Sequence, residues 1–377
     1  MQDFNKYLNL MVEKNASDMF FSSGAPVNIK IEGKTIPVGQ YVLEPGVAKK
    51  IAYSLMNPEQ IKSFETNMEM NLALSKPNVG RFRINIFRQR GELAMVVRYI
   101  KSSIPSISEL HLPATLQQLI MEPRGLVLIV GATGSGKTTT LASMIDHRNQ
   151  KTTGHILTIE DPMEYIHKNR KSIVDQREVG IDTLSYSNAL KNAMREAPDV
   201  ILIGEIRDRE TMQHAISYAE TGHLCLSTLH ANNAAQTLDR IVNFFPETAH
   251  HQLLVDLSLN LRAIVSQRLI GGLDGKRIPA VEVLLNTPYI SELIQKGEFD
   301  KLTEAMEHNS EQGMHTFDQA LFELLQQGKI SEEEAMRNAN SRNNLTLRIN
   351  LARKHSPQSP SELSIEDDEP VVRRGTK

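Results

Sequence analysis

Eight residues, GATGSGKT at 131–138, sit between an apolar run, GLVLIV, and a stretch that places Leu141, Met144 and Ile145 at helical spacing. They fit the pattern G-x-x-x-x-G-K-[ST]. Successive backbone N–H groups of such a loop point inward and cradle phosphate oxygens, and the helix that follows adds the positive end of its dipole. Gly131, Ala132, Thr133, Gly134, Ser135 and Gly136 then form the cradle for ATP. Lys137 reaches the terminal phosphates, and the hydroxyl of Thr138, beside Thr139, holds Mg²⁺. A strand, a phosphate loop and a helix in succession commit this part of the chain to an α/β architecture.

The same alternation continues downstream. HILTI is followed by a loop, a helix through Leu190 and Met194 leads into VILIG, and a helix from about Thr211 to Gly222 leads into LCLSTL. Apolar strands alternating with helices imply a parallel sheet covered on both faces. Ligands of such sheets bind beyond the carboxyl ends of the strands. Here those ends carry the phosphate loop, Glu160-Asp161, Glu205 and His230. Glu205 is expected near Mg²⁺, and Gly204 is expected to let its strand end pass close to the phosphate loop. The alternative is a surface pair between Glu205 and Arg207 or Arg209. In TIEDPMEY, Glu160, Asp161 and Glu164 are all candidates to orient an attacking water, and spacing does not choose between them. His230 is placed to face the γ-phosphate. His223 falls at the other end of its strand, where a structural or capping role competes. No third His or Cys is spaced to make a metal site with these two.

Residues 1–100 read as a small α+β domain. Phe4, Tyr7, Leu8, Met11 and Val12 mark an opening helix, and PVNIKIEGKTIPV reads as a strand pair turning at Glu32-Gly33. A second helix carries Ile51, Leu55 and Met56, and 80–100 form a hairpin with Gly91 in the turn. On its first strand Phe82, Ile84 and Ile86 face one side, and Arg81 and Arg83 the other. Arg81, Arg83, Arg88, Arg90 and Arg98 all lie on this hairpin, suited either to neutralising developing phosphoryl charge or to a solvated strand face. The Ser- and Pro-rich stretch 101–113 reads as a linker. An ATPase core then spans 114–270. From 271 to 350 the pattern turns helical, with Ser331 and Glu334 spaced as a capping box. Residues 351–377 lack a periodic apolar face and read as a disordered charged tail.

Net charge is −3, so composition gives no bias toward nucleic acid. The single cysteine, Cys225, rules out an intrachain disulfide and fits a reducing compartment. The N-terminus has no signal-peptide core, and no apolar run approaches the ~18 residues of a membrane span.

Taken together, GATGSGKTTT, ILTIEDPMEY, APDVILIGEIRD and TGHLCLSTLH resemble the Walker A, Asp-box, Walker B and His-box motifs of the secretion and type IV pilus motor ATPases. The likeness runs from NASDMFFSSGAPV to about residue 350. STLHANNAAQTLDRI, DLSLNLRAIVSQRL and HTFDQALFELLQQGKIS are most similar to the retraction motors of the PilT/PilU family, on its PilU-type branch. The resemblance implies an N-terminal PAS-like domain, a RecA-like P-loop ATPase domain with C-terminal helices, and a homo-hexamer at the cytoplasmic, inner-membrane base of the pilus. The implied activity is ATP-driven pilus retraction. The implied partners are a PilT-type retraction ATPase and an inner-membrane platform protein, with no direct nucleic acid. It also implies Glu164 as the catalytic carboxylate, Glu205 as the Walker B glutamate, Arg83 and Arg98 as γ-phosphate contacts, and His223 and His230 as the His box. Two departures, SDMFF for a histidine-containing SDLHL and PYISELI for AIRNLI, favour an accessory motor. A nucleotide-binding ring with little hydrolysis of its own is the alternative. An extension or secretion motor is disfavoured by the lack of a tetracysteine zinc module, and a nucleic-acid translocase by the scarcity of aromatics among the hairpin arginines.

Overall fold

Alternation of buried and half-buried residues along Gly80–Gln89 marks an interior strand of the first sheet. A computed structural model describes residues 2–31, 33–77, 79–100, 103–309 and 313–355. β1 (Asp18–Phe21), β2 (Pro26–Ile31), β3 (Lys34–Val42), β4 (Glu69–Lys76), β5 (Gly80–Gln89) and β6 (Glu92–Ile100) form a six-stranded antiparallel sheet in the order β3-β2-β1-β6-β5-β4. Phe82, Ile84 and Ile86 of β5 are buried, while Arg81 and Arg83 point to the other face. Their apolar face packs with Phe4, Leu8 and Met11 of the helix Gln2–Glu13 and with Ala48 and Ala52 of the helix Val47–Leu55. The turn residue Glu32 lies outside the described residues. A further helix, Pro58–Asn67, is capped by reciprocal Asn57 and Gln60 bonds, a start signal the apolar spacing did not reveal.

The second sheet has seven strands. They are β7 (Gly125–Val130), β8 (Gly154–Glu160), β9 (Ser172–Glu178), β10 (Val200–Ile203), β11 (Leu224–Leu229), β12 (Leu261–Gly271) and β13 (Arg277–Leu285), in the order β13-β12-β7-β11-β10-β8-β9. All neighbours run parallel except β12 and β13. Every residue of β7 is buried. Leu126, Leu128 and Val130 join the core on one face, and Val127 and Ile129 the core on the other. That double burial is why this strand reads as a continuous apolar run. Cys225 is a buried, free thiol in β11.

Four expectations are corrected. The loop after HILTI contains β9, whose polar residues belong to a sheet edge. The region from 271 is not helical throughout, because β13 completes an antiparallel pair with β12 before the helices Pro288–Lys296, Leu302–His308, Phe317–Gln326, Glu332–Asn338 and Arg342–His355. The described part of the 101–113 stretch is not a free linker, since Ile107 and Leu112 are buried in the second core. The tail begins later than 351, because the last helix runs to His355; the remaining 356–377 lie outside the described residues. Ser331 does cap its helix by accepting from the Glu334 amide, but Glu334 sends its carboxylate to the Gly271 amide instead of closing the box.

Candidate active site

The phosphate loop turns sharply where β7 ends. Gly131 has φ +153° and Gly136 φ +91°. A Cβ on Gly131 would lie 2.4 Å from the Gln267 carbonyl, and one on Gly136 would lie 2.9 Å from the Gln267 amide nitrogen. At Gly131 the close pass of the β12 backbone leaves no room for a side chain, whereas Gly136 closely meets only the Gln267 side chain and is required by its left-handed φ. The helix Lys137–Lys151 follows directly. Lys137 donates through Nζ to the carbonyls of Gly131 (2.9 Å) and Ala132 (3.0 Å). Burial lowers its pKa, while Glu205 and Glu164 act in the opposite direction. The buried hydroxyl of Ser135 has no hydrogen-bond partner. A buried ammonium satisfied only by its own loop, beside an orphaned hydroxyl and a helix N-terminus, suits an anion such as a phosphate chain. Thr139 Oγ1 lies 3.0 Å from the Tyr165 hydroxyl, and Thr140 donates to Gln267 at 2.7 Å.

A cavity of about 320 Å³ opens over this loop. Thr133, Gly134, Lys137, Thr138, Glu164, Glu205 and His230 line it. The parallel register brings them together, since β8, β10, β11 and β7 all end on one side. Glu205 is held from two directions: Oε1 is 2.9 Å from His230 Nε2, and Oε2 accepts from Arg207 Nε at 2.7 Å. Arg207 also lies 3.8 Å from Asp161. The pairing with Arg207 and the place in the cavity, alternatives on the sequence, thus hold together.

The expected role of Gly204 is corrected. A Cβ there would meet the Tyr186 hydroxyl at 2.8 Å and the backbone of Glu160 and Ile159 at 3.2 Å, so the crowding comes from β8 and Tyr186, not from the phosphate loop. Among the three carboxylates of TIEDPMEY, Glu160 is buried, accepts from Thr158 and Gln176, and has its pKa raised by burial to about 7. Asp161 precedes a cis proline and faces Arg207. Glu164 is exposed to the cavity.

Arg83 and Arg98 do not enter this cavity. Arg98 donates to Asp18 at 2.8 Å, and Arg83 lies 3.6 Å from Glu178. Both line a neighbouring cavity of about 170 Å³ that shares Pro162, Glu164 and Tyr165 with the first. Arg88 is bound to Glu65 and sits over Phe64, a contact internal to the N-terminal sheet. His223 stands at the amino end of β11, 3.2 Å from Thr221 and the Tyr218 carbonyl, away from the cavity. Sequence reading missed Asp18, Tyr165 and Glu178. Asp18 is revealed by its pairing with Arg98 inside the N-terminal sheet, Tyr165 by its contact with Thr139, and Glu178 by its contact with Arg83 of the other sheet. Behind the loop a larger cavity, about 930 Å³, is bordered by Glu109, Leu112, Gly136, Thr139 and Leu269. Among the described residues no cluster of His, Cys, Asp and Glu could hold a metal ion on its own, and no helix is long and apolar enough to cross a membrane.

A phosphate loop on a central parallel strand, with a lysine and two carboxylates converging above it, defines a P-loop nucleotide-binding domain. The chain belongs to the type II/IV secretion system protein family, whose model matches residues 2–341, and it is an ATPase. It is 50% identical to the type IV pilus ATPase PilU of Pseudomonas aeruginosa over 99% of both chains. It is 40% identical to the type IV pilus retraction ATPase PilT of the same organism, over 89% of this chain and 98% of that one. Among solved structures it is similar to the pilus retraction motor PilT with bound ADP, with a TM-score of 0.84 and 40% identity over 91% of this chain and 98% of that one.

Proposed function

We propose that this chain is a type IV pilus retraction ATPase that works as a hexamer beside a PilT-type motor, in the manner of a PilU-type accessory. The observation that carries the ATPase part is the convergence of Lys137, Glu164 and Glu205 on one cavity over the phosphate loop. The pilus part rests on half identity along the whole chain to PilU. The N-terminal sheet with its helices is read as PAS-like. The working site is read as the cytoplasmic face of the inner membrane, docked on a pilus platform protein.

In this reading Lys137 exchanges its loop carbonyls for the β- and γ-phosphates of ATP. The cavity of about 930 Å³ gives room for the base and ribose. Mg²⁺ bound with the nucleotide supplies charge neutralisation on the phosphate oxygens. Thr138 and Glu205 are the residues that would hold it. Glu164, free on the cavity wall, orients and deprotonates the attacking water. His230 donates toward the transferred phosphoryl group once released from Glu205. Arg83 and Arg98 neutralise developing charge after the N-terminal sheet closes on the cavity. His223 takes no part within its own chain.

The test is Mg²⁺-dependent ATP hydrolysis by the purified full chain beside Lys137→Ala and Glu164→Gln. Turnover that falls to background in both variants supports the reading. A wild type as silent as its variants overturns independent hydrolysis and leaves the accessory-ring reading, to be measured with the partner ATPase added.

A further inference from the structure

Glu178 is a buried ionisable group that does not line the phosphate-loop cavity. Its side chain is 1% exposed, and neither carboxylate oxygen has a hydrogen-bond partner. Burial raises its pKa, with the Arg83 and Arg81 charges and the Met163 amide opposing. Buried carboxylates are normally satisfied by several well-aligned donors, so a guanidinium at 3.6 Å, the Arg81 charge and a marginal approach of the Met163 amide are a poor recompense for desolvation. The fold nonetheless fixes Glu178 in place. It ends β9, its amide donates to Asp182 at 2.9 Å, and its carbonyl receives the amides of Ile181, Asp182 and Thr183. Asp182 in turn lies 3.8 Å from Arg81, two residues before Arg83 on the same face of β5. The contact is therefore a tie between the two sheets, made of two arginines from the N-terminal hairpin, the carboxylate that ends β9 and one from the turn after it.

Its position relative to the nucleotide cavity gives the tie a role. Arg83 borders the small cavity whose wall is Pro162, Glu164 and Tyr165, the same residues that border the phosphate-loop cavity. Open space thus lies beside the guanidinium on the side facing the site. Resting on the reading of Arg83 given above, we propose that Glu178 is a positioning residue, the counter-ion that keeps Arg83 from the nucleotide until a terminal phosphate outcompetes it. A carboxylate without a close, well-aligned hydrogen bond to Arg83 is a weak holder and a triphosphate a strong one, so the exchange selects ATP over ADP. Arg98 is held differently: its bond to Asp18 is short and lies within the N-terminal sheet.

Calorimetric titration of the full chain with Mg²⁺–AMP-PNP and with Mg²⁺–ADP tests this, using wild type, Glu178→Gln, Arg83→Gln, the double variant and Arg81→Gln. Glu178→Gln is expected to tighten AMP-PNP roughly tenfold, the scale of one lost competing charge pair, and to leave ADP within about twofold. The double variant is expected to match Arg83→Gln, because Glu178 acts through that arginine. Arg81→Gln loosens the same tie without freeing Arg83 and is expected to leave the AMP-PNP/ADP ratio unchanged. If Arg83→Gln lowers the ratio while Glu178→Gln leaves it unchanged or weakens both ligands, the role of Glu178 is overturned and that of Arg83 stands. If Arg83→Gln itself leaves the ratio unchanged, the reading of Arg83 fails first. Equal effects of Arg81→Gln and Glu178→Gln would reduce the contact to a structural tie and overturn the proposal.

Discussion

His230 and Glu205 meet at 2.9 Å across the ends of β11 and β10, while Arg207 holds the other oxygen of the same carboxylate at 2.7 Å. In the proposed function this carboxylate would help to hold Mg²⁺, and both partners fix its position. Outer partners of this kind typically contribute ten- to a hundredfold to metal affinity or activity. Arg207→Gln is therefore expected to raise the Mg²⁺ concentration for half-maximal ATP hydrolysis roughly tenfold. A Mg²⁺ titration at saturating ATP reads this directly, and an unchanged midpoint would remove Arg207 from the site.

Gly204 faces the Tyr186 hydroxyl and the β8 backbone. Gly204→Ala is expected to destabilise by roughly 1–3 kcal/mol, the usual scale of overpacking in a filled interior. Adding Tyr186→Phe removes the nearest atom and is expected to restore part of the loss. Denaturant unfolding of both variants measures the coupling, and no recovery in the double variant would place the crowding on the backbone instead.

Gly131→Ala puts a Cβ 2.4 Å from the Gln267 carbonyl in a left-handed backbone region. The phosphate loop then cannot keep its path against β12, and loss of measurable nucleotide binding is expected with the rest of the fold intact. At Gly134, φ is +78° but nothing lies within 4 Å, so alanine there is expected to cost only about 1–2 kcal/mol of backbone strain. Equilibrium binding of a fluorescent ATP analogue, with circular dichroism as the check on folding, separates the two.

Glu282 lies in the interior of β13 and accepts from the Ala234 amide at 2.8 Å and from Ser266 at 3.0 Å. Burial raises its pKa from 4.5 to about 7. The folded chain therefore holds this proton between those values while the unfolded chain releases it. The group's contribution is intact below pH 4.5 and is lost as pH rises to about 7, by at most about 3 kcal/mol. Glu282→Gln keeps an acceptor for both bonds and is expected to flatten this slope. Unfolding midpoints of wild type and variant across that range test it, and parallel curves would refute it.

The site was legible where chemistry and strand pattern coincide. β7 is buried on both faces and runs into a loop whose residue types are dictated by phosphate, so GLVLIVGATGSGKT announced both. β9 escaped because an edge strand exposes Ile173 and Asp175 and carries no apolar run. β13 escaped because the two buried faces of VEVLL give no period of two. Gly204 was correctly singled out as a close approach, but which neighbour it approaches depends on β8 and on Tyr186, far apart in sequence. Glu178 was invisible, since its meaning comes from an arginine about a hundred residues earlier.

The burial of Ile107 and Leu112 in the ATPase core sets the length of a leash. From Ile100, buried at the end of β6, to Ile107 the backbone reaches at most about 25 Å when fully drawn out. The N-terminal sheet is tethered on that short cord directly beside the cavity its arginines border. Were the chain to assemble into the proposed ring, a cord of that length would not let the sheet be carried off to serve a distant part of it. A displacement on so short a cord would be a rotation of small radius, kept beside the cavity that Arg83 and Arg98 border.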